Sequence, residues 1–268
     1  GLVGADLENL VNESALFAAR RGKKQVSMSD FEDAKDKVTM GVERKSMILT
    51  PADKKIISYH EAGHALVAYF SELADPVHKI TIIPRGRALG LTAQLPADEK
   101  FNYSKSYLLA KLDVLMGGRS AEKLIFKDTS TGAGNDIAVA TDIARKMVTE
   151  WGMCNEIGPL TFGKKNEEVF LGREISHSRD YSDQISMRID ENITEFVKNA
   201  EKKADNILLT NIEHLHKVAE ALLEFESISG KDMEKIIKGE KIVKLDDDKN
   251  SKEKPNRRRS SNNKPQSN

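Results

Sequence analysis

The stretch Ser58-Tyr59-His60-Glu61-Ala62-Gly63-His64-Ala65-Leu66 constrains this chain more than any other. Two histidines stand four apart, and a glutamate follows the first. On a helix, positions i and i+4 share one face, so both imidazoles can reach one metal ion, with Glu61 projecting beside it. Thr50-Pro51-Ala52-Asp53 opens that helix, because proline suits a first helical turn. Ile57, Ala65, Leu66, Tyr69 and Phe70 give it an apolar side. A mostly apolar helix is buried, and buried imidazoles need partners. Two histidines on one metal and a carboxylate to take a proton from bound water are the minimal apparatus of zinc-dependent hydrolysis.

A catalytic zinc takes three protein ligands and keeps one position open. The motif supplies two. In one large class the third is a histidine six residues after the second, with a glycine between; here those positions hold Phe70 and Val67. In another, a glutamate follows about twenty residues later on a helix. Here that window reads as a strand and a Pro-Arg-Gly loop without an acid. By local chemistry the best candidate is Asp136, where the polar, glycine-rich stretch 129–135 enters a helix. Its competing role is a first-turn acid of that helix. Glu122 is the second candidate. Asp142 lies off the Asp136 face, and His78 alternates along a strand. His177, His214 and His216 are expected on a loop or a helix surface, away from metal.

The remaining pattern is mainly α-helical with a small β-sheet or hairpin. Residues 1–50 read as a helical pair: Ala5 to Arg21, with a stripe of Leu7, Leu10, Val11, Ala15 and Ala18, then a helix capped by Ser29 with Glu32 in a capping box. Val77 to Ile83 is rich in β-branched residues and ends at Pro84, which predicts a strand; Leu91 to Leu95 is its return. The prolines at 84 and 96 suggest an exposed sheet edge. Helices follow at Ser104–Gly117, closed by Gly117-Gly118, at Arg119–Phe126, from about Asn135 to Trp151, from Ser182 to about Leu209, at Ile212–Phe225 and at Gly230–Lys238. Residues 152–179 read as irregular. From about Lys244 the chain is polar and aperiodic, and a disordered tail is expected.

Composition excludes several classes. Lys+Arg and Asp+Glu balance at 42 each, so total charge gives no sign of a nucleic-acid partner. The one cysteine, Cys154, rules out an internal disulfide. No apolar run reaches the length of a membrane span. The first residues, Gly1-Leu2-Val3-Gly4-Ala5-Asp6-Leu7, read as the middle of a longer chain.

Several segments together resemble the FtsH family of membrane-anchored ATP-dependent zinc metalloproteases. They are His60-Glu61-Ala62-Gly63-His64-Ala65, the run Val77 to Gly90, Gly117-Gly118-Arg119-Ser120-Ala121-Glu122, Thr131-Gly132-Ala133-Gly134-Asn135-Asp136, Trp151-Gly152-Met153 and Gly158-Pro159-Leu160. The resemblance runs from Gly1 to about Gly239. It implies a zincin-like helix in a helical peptidase domain (51–239), preceded by the end of a helical AAA+ lid (1–50) and followed by a polar tail (240–268). It implies zinc on His60, His64 and Asp136, with Glu61 as the base. It also implies that the strand at 77–84 is an edge on which an extended substrate pairs, through Lys79, Ile80, Thr81 and Ile82. Unfolded polypeptide substrates, a homo-hexamer, and membrane anchoring with the catalytic domain on the cytoplasmic or equivalent organellar face are implied in the same way. No G-x-x-x-x-G-K-[ST] occurs, so ATP and Mg2+ are expected only in a longer protein. A non-catalytic assembly or adaptor module with a structural metal site is the rival reading.

Overall fold

The motif helix is the hub of the computed structural model, which describes residues 3–44, 46–86, 88–96, 100–162 and 181–242. The elements run α1 (Gly4–Arg20), α2 (Met28–Met40), α3 (Pro51–Phe70), β1 (Val77–Thr81), β2 (Leu91–Gln94), α4 (Lys105–Phe126), α5 (Gly134–Thr149), α6 (Asp183–Thr210), α7 (Ile212–Phe225), β3 (Ser227–Ser229) and α8 (Gly230–Ile237). The fold is mainly helical with one small sheet, as the pattern predicts. None of the described helices is long and apolar enough to cross a membrane. The expectations for residues 163–179, for His177 and for the tail from Lys244 fall outside the described residues.

Thr50 caps α3: its hydroxyl oxygen accepts from the Asp53 amide at 3.1 Å, and Asp53 accepts in return from Thr50 N–H at 3.3 Å. Pro51 occupies the first turn, where no amide hydrogen is needed. Every residue from Ile57 to Ala68 is buried. α4, α6 and α7 pack around α3, and β1 and β2 lie against it. The long α6 contributes Ile189, Ile193, Ala200, Ala204 and Leu208 to the same core.

Four local expectations are corrected. The first concerns α4, which runs unbroken through Gly117 and Gly118 instead of stopping there. Two interior glycines cost a helix about 1 kcal/mol each, and tertiary contact requires them. A Cβ on Gly63 would overlap the carbonyl oxygen of Gly117, and a Cβ on Gly117 would lie 2.8 Å from the carbonyl oxygen of Gly63. The two glycines let α3 and α4 touch backbone to backbone.

The second concerns the sheet. Its order is β2-β1-β3, so β1 is central and is not the edge expected for 77–84. Thr81 pairs with Leu91 on one side and with Ser227 on the other. Ile82 N–H donates to Glu226 O at 2.9 Å. Ile80, Thr81 and Ile82 are all buried, which leaves no side of Lys79–Ile82 open to a peptide. The covering strand follows α7 directly, where Glu226 turns the chain at φ 59°. β2 and β3 are the outer strands, and of the two it is β2 that borders the cleft.

The other two concern the helical pair. Ser27, not Ser29, caps α2; Asp30, not Glu32, completes the box by accepting from Ser27 N–H at 2.9 Å. Arg21 and Lys23 also bond the Asp30 carboxylate, which draws the cap two residues earlier. On α1, Ala18 is buried but Leu7 and Val11 of the apolar stripe are exposed.

The seam between this pair and the rest is polar. Asp36 of α2 pairs with Lys79 of β1 and lies 3.7 Å from Arg85, and Arg85 bonds Glu43 at 2.7 Å. The backbone adds Arg44 N–H to Pro84 O at 2.8 Å and Gly86 N–H to Val42 O at 3.2 Å.

Candidate metal centre

α3 presents His60 and His64 on the face that meets α4, with ring centroids 4.7 Å apart. Each ring is held at Nδ1. His60 Nδ1 lies 2.7 Å from Glu122 Oε1, and His64 Nδ1 lies 2.7 Å from the Val114 carbonyl oxygen. Both partners only accept, so each Nδ1 carries the proton. In the neutral rings the lone pairs then sit on the two Nε2 atoms. Those atoms are 3.0 Å apart, and Asp136 Oδ2 is 3.3 Å from one and 3.4 Å from the other.

With both rings neutral, three electron-rich atoms face one another at a spacing that suits a cation. A tetrahedral ion with ligands at about 2.0–2.1 Å would hold them about 3.3 Å apart. Gly118 keeps the place clear. A Cβ there would stand 2.6 Å from both Nε2 atoms, so the glycine misread as a helix stop leaves open the space in front of the donors. Two imidazoles and one carboxylate are a donor set that suits zinc.

The surroundings tune each group. Burial works against a charged His60, but the Asp136 and Glu122 carboxylates overcome it and raise the metal-free imidazole to about 10. A metal arriving there displaces a proton. Burial would raise Asp136, yet its bonds to His60 and His64 hold it well below the usual carboxylate range. Burial pushes Glu61 up, against the pull of His64, His60 and Thr92. An elevated carboxyl suits a general base.

Asp136 arrives from α5. Ser130 precedes a 3-10 turn, Thr131–Ala133, that leads into Gly134, and Asp136 occupies the first turn of the helix with Oδ2 directed at both histidines. Glu122, the other candidate third ligand, is the partner of His60. Its carboxylate also accepts from Ser130 N–H at 2.6 Å and Ser130 hydroxyl at 3.0 Å. The remaining candidates lie elsewhere. Asp142 is exposed and pairs with Lys146 at 2.8 Å. His78 meets Lys35 Nζ at 3.2 Å in the seam. His216 Nδ1 meets the Tyr59 hydroxyl at 2.8 Å, and His214 stacks on Phe70.

The donors open into a cleft of about 730 Å³ whose far side is formed by Leu89, Gly90, Leu91, Thr92 and Gln94. Thr92 and Gly90 touch Glu61, and sequence reasoning missed both. Of the two, Gly90 carried a signal, as the second glycine of a short loop.

A buried helix bearing His-Glu-x-x-His, facing an aspartate from the start of another helix, with a carboxylate and a carbonyl orienting the rings, is a candidate metal centre of the zincin type. Residues 47–236 match Peptidase family M41, and the chain belongs to that family. Residues 1–33 match the AAA+ lid domain. The chain is 51% identical over 242 residues to "ATP-dependent zinc metalloprotease FtsH 1" of Thermoanaerobacter sp. (strain X514), covering 90% of this chain and 40% of that relative. It is 52% identical over 245 residues to "ATP-dependent zinc metalloprotease FtsH" of Acidobacterium capsulatum, covering 91% and 38%. The chain thus spans about two fifths of the length of these curated relatives.

Proposed function

We propose that this chain is the zinc-dependent endopeptidase portion of an FtsH-type protease. The observation that carries the reading is the convergence of His60 Nε2, His64 Nε2 and Asp136 Oδ2, with Glu61 adjacent in sequence to the first donor. His60, His64 and Asp136 hold the zinc. Zinc, when bound, acidifies water and polarises the scissile carbonyl. Glu61 takes the proton of the attacking water and passes it to the departing amine. Glu122 and the Val114 carbonyl keep both rings turned so that Nε2 faces the ion.

Since β1 is covered on both sides, the extended substrate adds to the free edge of β2, which borders the cleft. Recognition through main-chain hydrogen bonds gives weak sequence preference, as suits unfolded chains. Residues 1–50 act as the end of an AAA+ lid and residues 51–239 as the peptidase domain. The whole protein uses ATP and Mg2+ to unfold membrane and cytosolic substrates. It assembles as a homo-hexamer, is anchored in a membrane, and has its catalytic part on the cytoplasmic or equivalent organellar face.

The test is hydrolysis of an unfolded protein such as casein, with and without a chelator. Glu61→Gln should retain zinc and lose about 10²–10⁴-fold in rate. Near wild-type activity would overturn the mechanism. Asp136→Ala should lower the zinc stoichiometry; an unchanged value would move the third ligand to Glu122. A purified chain that binds zinc but shows no chelator-sensitive hydrolysis would favour a structural metal in an assembly module.

A further inference from the structure

The mechanism above uses Glu61 but leaves open what aims it. The residue is only 6% exposed, so its carboxylate does not sweep freely through the cleft. It lies against the turn into β2. The Thr92 hydroxyl is 2.7 Å from Glu61 Oε2 and 3.0 Å from the Glu61 carbonyl oxygen. A hydroxyl has one proton, and the charged carboxylate is the stronger acceptor. On the other side, a Cβ on Gly90 would lie 2.6 Å from Glu61 Oε1 and 2.8 Å from Cγ. Any side chain at position 90 would push the carboxylate out of its place.

We infer that Thr92 is the positioning residue of the general base: its hydroxyl pins Glu61 Oε2 in a slot closed by Gly90, leaving Oε1 to exchange the proton. The inference rests on the peptidase reading above. It adds a mechanical consequence. Thr92 pairs with Ile80 across the sheet, and its strand is the outer strand that borders the cleft. A peptide that adds to β2 stiffens the strand that carries the hydroxyl, so seating the substrate and aiming the base become one event. The geometry also separates two functions of one residue. The Thr92 main chain belongs to the docking edge, and its side chain belongs to the base.

The experiment measures kcat and KM on a short quenched-fluorescent peptide, which needs no unfolding, together with zinc content and Tm, for wild type, Thr92→Val, Thr92→Ser, Gly90→Ala and Glu61→Gln. Valine keeps shape and β-branching and removes only the donor. Thr92→Val is expected to lower kcat about ten- to a hundredfold, the effect of losing a hydrogen bond to a charged group. KM and zinc should be unchanged. Thr92→Ser should restore most of the loss, and Gly90→Ala should reproduce the kcat defect from the other side. Wild-type kcat in Thr92→Val would overturn the inference. So would an equally impaired Thr92→Ser, or a Thr92→Val defect that merely follows lost zinc or lost fold. Full activity in Glu61→Gln would instead sink the peptidase reading itself, whatever Thr92 does.

Discussion

One wall of the cleft is formed by α3, α4 and the start of α5; the other is formed by β2 and the turn before it. In the first, His60, His64 and Glu122 are buried, and two helices meet at glycine backbones. Each ring has a fixed partner on Nδ1, and Glu122 has three donors. In the second, all four residues of β2 are half-buried, and Leu89 and Leu95 at its ends are exposed. A metal centre needs its donors fixed to a fraction of an ångström, which dense helix packing supplies. A strand edge left open to pair with a peptide, as proposed for β2, cannot be packed on both sides. Glu61 belongs to the first wall by its backbone and to the second by its side chain.

That contrast can be broken from either side. The largest effect is expected from Gly118→Ala, whose methyl would occupy the space before both Nε2 atoms. Zinc measured by elemental analysis should fall close to zero, and hydrolysis with it. Next comes Glu122→Gln, which removes the charge that orients His60. Metal affinity, read by competition with a chromophoric chelator, should weaken about 10–100-fold. Gly63→Ala tests the packing alone. It should cost about 1–3 kcal/mol by overpacking, lowering Tm by about 2–4 °C for each kcal/mol. The smallest effect belongs to the second wall. Gln94 Nε2 donates to the Asp75 carbonyl at 2.6 Å and anchors the end of β2. Gln94→Ala should raise KM about two- to fivefold, with kcat and zinc unchanged, as befits one neutral hydrogen bond.

Where local chemistry decides structure, the sequence was readable. Thr50-Pro51-Ala52-Asp53 announces α3 by its capping groups, and Ser182 announces α6, where its side chain accepts from Ile185 N–H. Asp136 was legible as a candidate ligand because a glycine-rich stretch entering a helix can present a carboxylate. The failures share one cause, which is long-range contact. Gly117 and Gly118 have the same local preference whether a helix stops at them or another helix presses on them. β3 has three residues, too few for a period, and it finds β1 about 148 residues earlier in the chain. With β3 unseen, β1 looked like an edge. Glu122 and Thr92 act on residues 62 and 31 positions away, and no spacing rule connects them.

The Glu122 carboxylate bears on how the molecule is made. It bonds both His60 on α3 and Ser130 in the turn that delivers Asp136, and His60 and Asp136 are 76 residues apart in the chain. Contacts of such sequence separation form after local helices. During synthesis, α3 emerges with its two histidines and glutamate before α5, and at that stage it has neither Asp136 nor the Glu122 carboxylate that orients His60. The cluster of His60, His64 and Asp136 therefore cannot assemble before α4 and α5 dock on α3. A nascent or misfolded copy, with α4 and α5 undocked, carries the motif but lacks a working protease.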